Sequence, residues 1–281
     1  MKLIKSVRSM KLWSNETRRH RKTIAFVPTM GFLHEGHLSL VRRARKEADT
    51  VAMSIFVNPL QFGPREDFGA YPRDIGRDTA LARAEGCDVL FVPSKKEMYP
   101  EGFLTRVNVE RLDGVLCGSF RPGHFVGVCT IVLKLVNIVQ PHLLLLGQKD
   151  AQQAIVLGRM LRDLNTDVRL ILCPTVRERD GLAMSSRNSY LGPKERERAL
   201  AIPRALFLAR KLVLGGERRA ARILARIRVT LSREGITDIE YVAIVDSKEL
   251  APLESIRGEV IIAVAARVGT TRLIDNVRLR V

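Results

Sequence analysis

Short, nearly continuous apolar runs alternate with stretches of helical periodicity along the first two-thirds of the chain. Residues 23–28 (TIAFVP) and 51–57 (VAMSIFV) are two such runs, and the amphipathic stretch 37–48 lies between them. Apolar runs too continuous for a half-exposed strand, separated by helices, predict βαβ units around a parallel sheet buried on both faces. The rhythm continues with a helix over 74–85, a strand over 88–92, a helix over 125–139 and a strand over 143–146. In the 125–139 helix, Val128, Ile131, Val132, Leu135 and Val139 share one face. A helix over 151–163 and a strand over 167–173 complete a doubly wound α/β domain. After Pro174 the texture changes. A polar loop, 175–188, leads to two charged helical stretches, 194–213 and 217–233, and then to strands rich in Val and Ile over 239–245, 259–268 and 271–279. The expected organisation is an α/β domain over residues 1–176 and a smaller α+β domain over 177–281.

With 281 residues, 46% of them hydrophobic, the chain can bury one large core and a smaller one. The longest apolar stretches, such as 260–266, are far short of the roughly 20 residues that span a bilayer, and the first 22 residues lack the apolar core of a secretory signal. A cytoplasmic enzyme with no membrane partner is expected. Cys87, Cys117, Cys129 and Cys173 are widely spaced and read as reduced core residues, since no CxxC pair is present. The net charge of +17 would suit a polyanionic partner. The excess is spread over both halves, however, and the strongly basic segment 210–233 carries an apolar helical face through Leu212, Leu214, Ile223, Leu224 and Ile227. A solvated helix is therefore the better reading of that segment, and no nucleic-acid partner is expected.

Four segments carry chemistry, and each follows an apolar run, where α/β sheets bind ligands. The first is Pro28-Thr29-Met30-Gly31-Phe32-Leu33-His34-Glu35-Gly36-His37. It joins a strand to a helix N-terminus that favours anions, its glycines permit close backbone approach, and two imidazoles three residues apart can donate together to one phosphate. The second is 180–188, in which Met184, Ser185, Ser186 and Arg187 follow a turn beginning near Val176; two hydroxyls and a guanidinium form a phosphate clamp. In the third, Gly147-Gln148-Lys149-Asp150, Lys149 can reach a phosphate as a point charge, Asp150 can cap a helix, bind a ribose hydroxyl or support a metal, and Gln153 offers an amide to a small polar acid. The fourth, 56–63, offers Asn58 and Gln61 as uncharged donors, with Phe62 as a wall. His-Glu-Gly-His in its position resembles the HIGH-type motif of the nucleotidyltransferase superfamily, and the 180–188 loop resembles the KMSKS-type loop of the same superfamily.

Taken in order, PTMGFLHEGH, FVNPLQF, YPRD (71–74), RPGHFVGV (121–128), GQKDAQQ, DGLAMSSRN and the tail VGTTRLIDNVRL resemble the pantothenate synthetase family. That resemblance implies a Rossmann-like domain with a C-terminal lid, ATP with Mg²⁺, and a homodimer. It implies that Met30, His34, His37, Lys149, Ser185, Ser186 and Arg187 handle ATP, with Pro28, Thr29, Gly31, Gly147, Asp150, Val176 and Met184 around the nucleotide. Gln61 and Gln153 would hold pantoate, and Asp78 would lie near the metal, although Arg77 stands where many relatives carry a carboxylate. The implied reaction condenses pantoate with β-alanine through a pantoyl-adenylate, releasing pyrophosphate and AMP. The alternative is another HIGH-motif enzyme that transfers AMP to a small phosphorylated substrate. AMP release with and without β-alanine separates the two.

Overall fold

The structure, a computed structural model, describes residues 1–64 and 66–281. Six parallel strands form its first sheet: β1 (Lys2–Ile4), β2 (Ile24–Thr29), β3 (Thr50–Ile55), β4 (Val89–Phe91), β5 (Leu143–Gly147) and β6 (Arg169–Cys173), in spatial order β1-β4-β3-β2-β5-β6. The helices between them are α1 (Val7–Arg19), α2 (Glu35–Glu47), α3 (Ile75–Ala84), the short α4 (Lys95–Met98) and α5 (Cys117–Phe120), α6 (His124–Val139) and α7 (Ala151–Asp163). Alternation within the strands explains the two-sided burial. Ile24, Phe26, Leu144 and Leu146 pack with residues of α6 and α7, whereas Ala25, Val27, Leu143 and Leu145 pack with Leu38, Val41 and Ala44 of α2. From β2 the chain builds outward through β3 and β4, then returns to lay β5 on the other side of β2. The carboxyl ends of β2 and β5 therefore flank the point where the strand order reverses, the usual ligand crevice of such sheets.

The remainder contains α8 (Pro193–Ala199), α9 (Ala201–Leu214), α10 (Ala220–Arg233) and the antiparallel sheet of β7 (Ile239–Asp246), β8 (Glu259–Val268) and β9 (Thr271–Arg280), ordered β7-β8-β9. Helices α9 and α10 cover one face through Ile202, Leu206, Ile223 and Ile227. Val245, Ile261 and Ala263 from the other face join the core beside the parallel sheet. This double cover explains why β8 is buried along most of its length.

The single helix expected over 194–213 is broken at Leu200. Pro203 has no N–H to offer the carbonyl of Ala199 four residues earlier, so the ladder restarts as α9. The helix expected from residue 217 begins instead at Ala220, because the Glu217 carboxylate accepts the N–H groups of Arg218 and Arg219 at 3.0 and 2.9 Å. None of the described helices is long and apolar enough to cross a membrane.

Candidate active site

Residues from the ends of β2, β3, β5 and β6, with β9 above them, enclose a cavity of about 240 Å³. It is lined by Pro28, Thr29, Met30, His34, His37, Asn58, Gln61, Gly147, Lys149, Asp150, Gln153, Val176, Met184, Ser185, Ser186 and Arg187, all of them singled out from the sequence. Gly31, Phe62 and Asp78 do not line it.

The β2–α2 turn is built by its own side chains. Gly31 has φ +87°, and a Cβ there would stand 2.8 Å from Ile55, so only glycine fits. Asp78, from α3, is 1% exposed; its two oxygens accept the N–H groups of Phe32 and Leu33, each at 2.7 Å. Expected near a metal, it holds this turn and does not line the cavity, and burial raises its carboxyl above the usual range.

His34 caps α2. Its Nδ1 accepts the N–H of Gly36 at 3.1 Å, while Nδ1 of His37 accepts the N–H of His34 at 3.3 Å. A backbone N–H can only donate, so each ring must carry its own proton on Nε2. Burial, reinforced by Lys149, lowers His34 to about 4; burial, reinforced by His34, lowers His37 well below its ordinary value. The pair therefore faces a ligand as two neutral, pre-oriented Nε2–H donors, with ring centroids 4.0 Å apart. The lysine beside them is Lys149, on the turn after β5. Asp150 sits at the N-cap position of α7 without a side-chain capping bond, so of its three possible roles capping is not the one seen; its carboxylate lies 3.8 Å from Lys149.

The 184–188 segment is a 3-10 turn, Ser186–Tyr190, capped by Ser185, whose Oγ accepts the N–H of Arg187 at 3.3 Å. Ser186 donates to the carbonyl of Phe32, joining this turn to the β2–α2 turn. The guanidinium of Arg187 is gripped by Asp67 through Nε and Nη2 at 2.9 and 2.7 Å. Thr175 and Asn188 line the same cavity, and among the described residues Thr175 Oγ1 and Asn188 Oδ1 are buried polar atoms without a hydrogen-bond partner.

On the opposite wall, Asn58 is wholly engaged. Its amide donates to Gly127 O and Gln61 Oε1 at 3.0 and 3.1 Å, and its oxygen accepts from Tyr99 at 2.7 Å. It was expected to be a free donor, but it orients Gln61 instead. Phe62 packs against Phe68 and Tyr71 and away from the cavity, while Tyr71 provides wall in its place. Arg121 and His124, quoted above only as part of a motif, also line the cavity. His124 Nδ1 lies 2.8 Å from the carbonyl of Gln61 and so carries the proton; Arg121 donates to the same carbonyl at 3.3 Å and is paired with Glu66. Sequence reasoning missed their function because it is exerted through a backbone carbonyl far away in the chain.

Among the described residues no three His, Cys, Asp or Glu side chains converge as a metal cage. The arrangement can bind a polyphosphate through two imidazole donors and a lysine, and a small hydroxy acid through Gln61 and Gln153.

Comparison with known proteins fits this geometry. Residues 2–278 match the family model described as Pantoate-beta-alanine ligase. The chain is 56% identical over 281 residues to the pantothenate synthetase of Heliobacterium modesticaldum, covering 100% of both, and 58% identical over 276 residues to that of Thermotoga petrophila, covering 98% and 99%. Among solved structures, pantothenate synthetase from Thermus thermophilus superposes with a TM-score of 0.94 at 45% identity over 99% of each chain. A pantoate-beta-alanine ligase from Francisella tularensis, complexed with beta-gamma ATP and beta-alanine, superposes with a TM-score of 0.80 at 33% identity, over 99% of this chain and 97% of that one.

Proposed function

The chain belongs to the pantoate-beta-alanine ligase family and is a ligase that condenses pantoate with β-alanine using ATP, and on that premise we propose how its residues divide the work. A carboxylate does not yield to an amine at neutral pH, because oxide would have to leave. The cleft therefore first makes that oxygen part of a phosphate ester. One carboxylate oxygen of pantoate attacks the α-phosphorus of ATP, the bond to the bridging oxygen breaks, and pyrophosphate leaves. The observation that carries this reading is the pair of neutral Nε2–H donors beside Lys149 at the β2/β5 switch point. Fixed donors aimed at developing charge need no reorganisation during the step. Gln61, held by Asn58, Arg121 and His124, and Gln153 orient the acid. In the second step the free amine of β-alanine attacks the acyl carbon and AMP departs with the carboxylate oxygen.

Arg187 is held by Asp67 through Nε and Nη2, which orients the guanidinium and leaves its other N–H groups to donate to phosphate. For Mg²⁺ the residue set fits a cation delivered on ATP, since Mg²⁺ is commonly held by one or two carboxylates with substrate phosphates and water. Asp150 is the residue that would hold it, because Asp78 is committed to the turn and Asp275 to Arg177. When bound, the ion neutralises phosphate charge.

A homodimer is supported by residues 104–109, which make no backbone-to-backbone hydrogen bond among the described residues, and by Leu104, which is 89% exposed. Apart from the Val107 N–H, which donates to Thr130 Oγ1 at 3.0 Å, this segment offers its backbone and an apolar side chain to a second copy. Four free, buried cysteines agree with a reducing cytoplasm. The function is tested by mixing enzyme, pantoate and Mg-ATP in a single turnover. Pyrophosphate is expected without β-alanine; its absence until the amine is added contradicts the two-step order.

A further inference from the structure

The two loops assigned above to ATP, Gly147–Asp150 and Met184–Arg187, follow different strands, and among the described residues no hydrogen bond joins one to the other. Both are instead held by adjacent residues of β9. Asn276 donates from Nδ2 to the carbonyls of Gln148 and Lys149, each at 2.9 Å. Asp275 accepts both arms of Arg177 at 2.6 and 3.0 Å, and Arg177 in turn donates to the carbonyl of Gly181 at 3.1 Å. Arg177 also pairs through its backbone with Ala183, the residue before Met184. Asp275 and Asn276 are each 3% exposed, and Asp275 Oδ1 accepts the N–H of Asn276 at 2.7 Å. Neighbours on a strand point to opposite sides, so one dipeptide can reach loops on either side of β9.

We propose that Asp275-Asn276 is a positioning pair that sets Lys149 in register with the Met184–Arg187 loop, so that the C-terminal sheet fixes the geometry of the triphosphate site as well as covering it. The chemistry favours this over simple packing. The two carbonyls held by Asn276 belong to the 3-10 turn Gln148–Asp150, which carries the lysine itself. A buried amide bridging two successive carbonyls fixes the rotation of that turn, and hence the direction in which Lys149 leaves it. Asp275 supplies the matching constraint through a charge-assisted, two-armed bond, the kind that fixes orientation as well as distance.

The inference rests on the assignment of Lys149 to the phosphates, and its test is built to fail separately from that assignment. Pyrophosphate release is measured in single turnovers across ATP concentrations for Asn276→Ala, Lys149→Ala and the double variant, with the thermal midpoint of each. If Asn276→Ala does not fold, Asn276→Asp keeps the shape while removing both N–H donors. Asn276→Ala is expected to lower kcat/KM for ATP about tenfold or more, as misplacement of a catalytic group does, and to leave the affinity for pantoate measured without ATP unchanged. In the Lys149→Ala background the same change should cost within about twofold, because a residue acting through Lys149 has nothing left to position. Equal losses in both backgrounds, or no loss in either, overturn the proposal. A Lys149→Ala variant with wild-type pyrophosphate release overturns the phosphate assignment instead.

Discussion

The capping bonds of α2 decide what His34 and His37 can contribute. To become cationic, either ring would need a proton on Nδ1, where it already accepts a backbone N–H. The pair therefore works uncharged, and the positive charge comes from Lys149. The dependence of kcat/KM for ATP on pH, which reports groups of the free enzyme, should show no inflection near 6.5 and should fall only as pH approaches the His34 value of about 4. An inflection near 6.5 that vanishes in His37→Gln contradicts neutral donation. His37→Ala and Lys149→Ala should each weaken the pyrophosphate-releasing step by at least ~2 kcal/mol, the scale of removing one preorganised donor. Near-wild-type release from either variant removes it from the mechanism. Much of this was legible at the sequence level, since two imidazoles three residues apart at a helix start can be read directly. Their tautomers could not, because they depend on bonds to the backbone within the folded turn. Nor could Asp78, whose carboxylate is claimed by the N–H groups of Phe32 and Leu33, 46 and 45 residues away.

Between elements, the pantoate wall depends on how closely α6 approaches the 3-10 turn Pro59–Gln61. A Cβ on Gly127 would stand 2.3 Å from the carbonyl of Leu60. Gly127→Ala must push this turn away, which should destabilise the fold by about 1 to 3 kcal/mol, as overpacking does, and raise KM for pantoate far more than KM for ATP. Equal changes in both constants would show that the turn does not carry the acid pocket. Apolar periodicity made α2, α6, α7 and the central strands legible, because their buried faces are wide. It left α1 unread. That helix buries only Met10, Ser14 and Thr17 while exposing Leu12, so its apolar signal is thin. The break at Leu200 is legible once Pro203 is weighed against its partner carbonyl four residues earlier.

For the whole molecule, burial of His34, His37 and His124 in neutral form links stability to pH. Each has a folded-state value below its unfolded one of 6.5, with His34 and His124 at about 4. The unfolded chain then binds more protons between those values, so stability is complete above pH 6.5 and is lost as pH falls toward 4. Thermal midpoints should decline across that window, and a flat profile contradicts the burial of neutral rings. In solution the protein should be a dimer by light scattering, and Leu104→Glu should shift it to monomer; an unchanged mass would place the interface elsewhere. The two textures of the chain were legible from composition, but the contact of β9 with both nucleotide loops was not, since Asn276 and Lys149 meet only through the path of the tertiary fold. The central claim is that pantoate is activated as an acyl-adenylate, and it is tested most directly with pantoate carrying oxygen-18 in its carboxylate. The account predicts that one labelled oxygen per turnover appears in AMP, because the bond broken by β-alanine lies between the acyl carbon and that oxygen. AMP free of label, with the label in pyrophosphate or retained wholly in the pantoyl product, would contradict it.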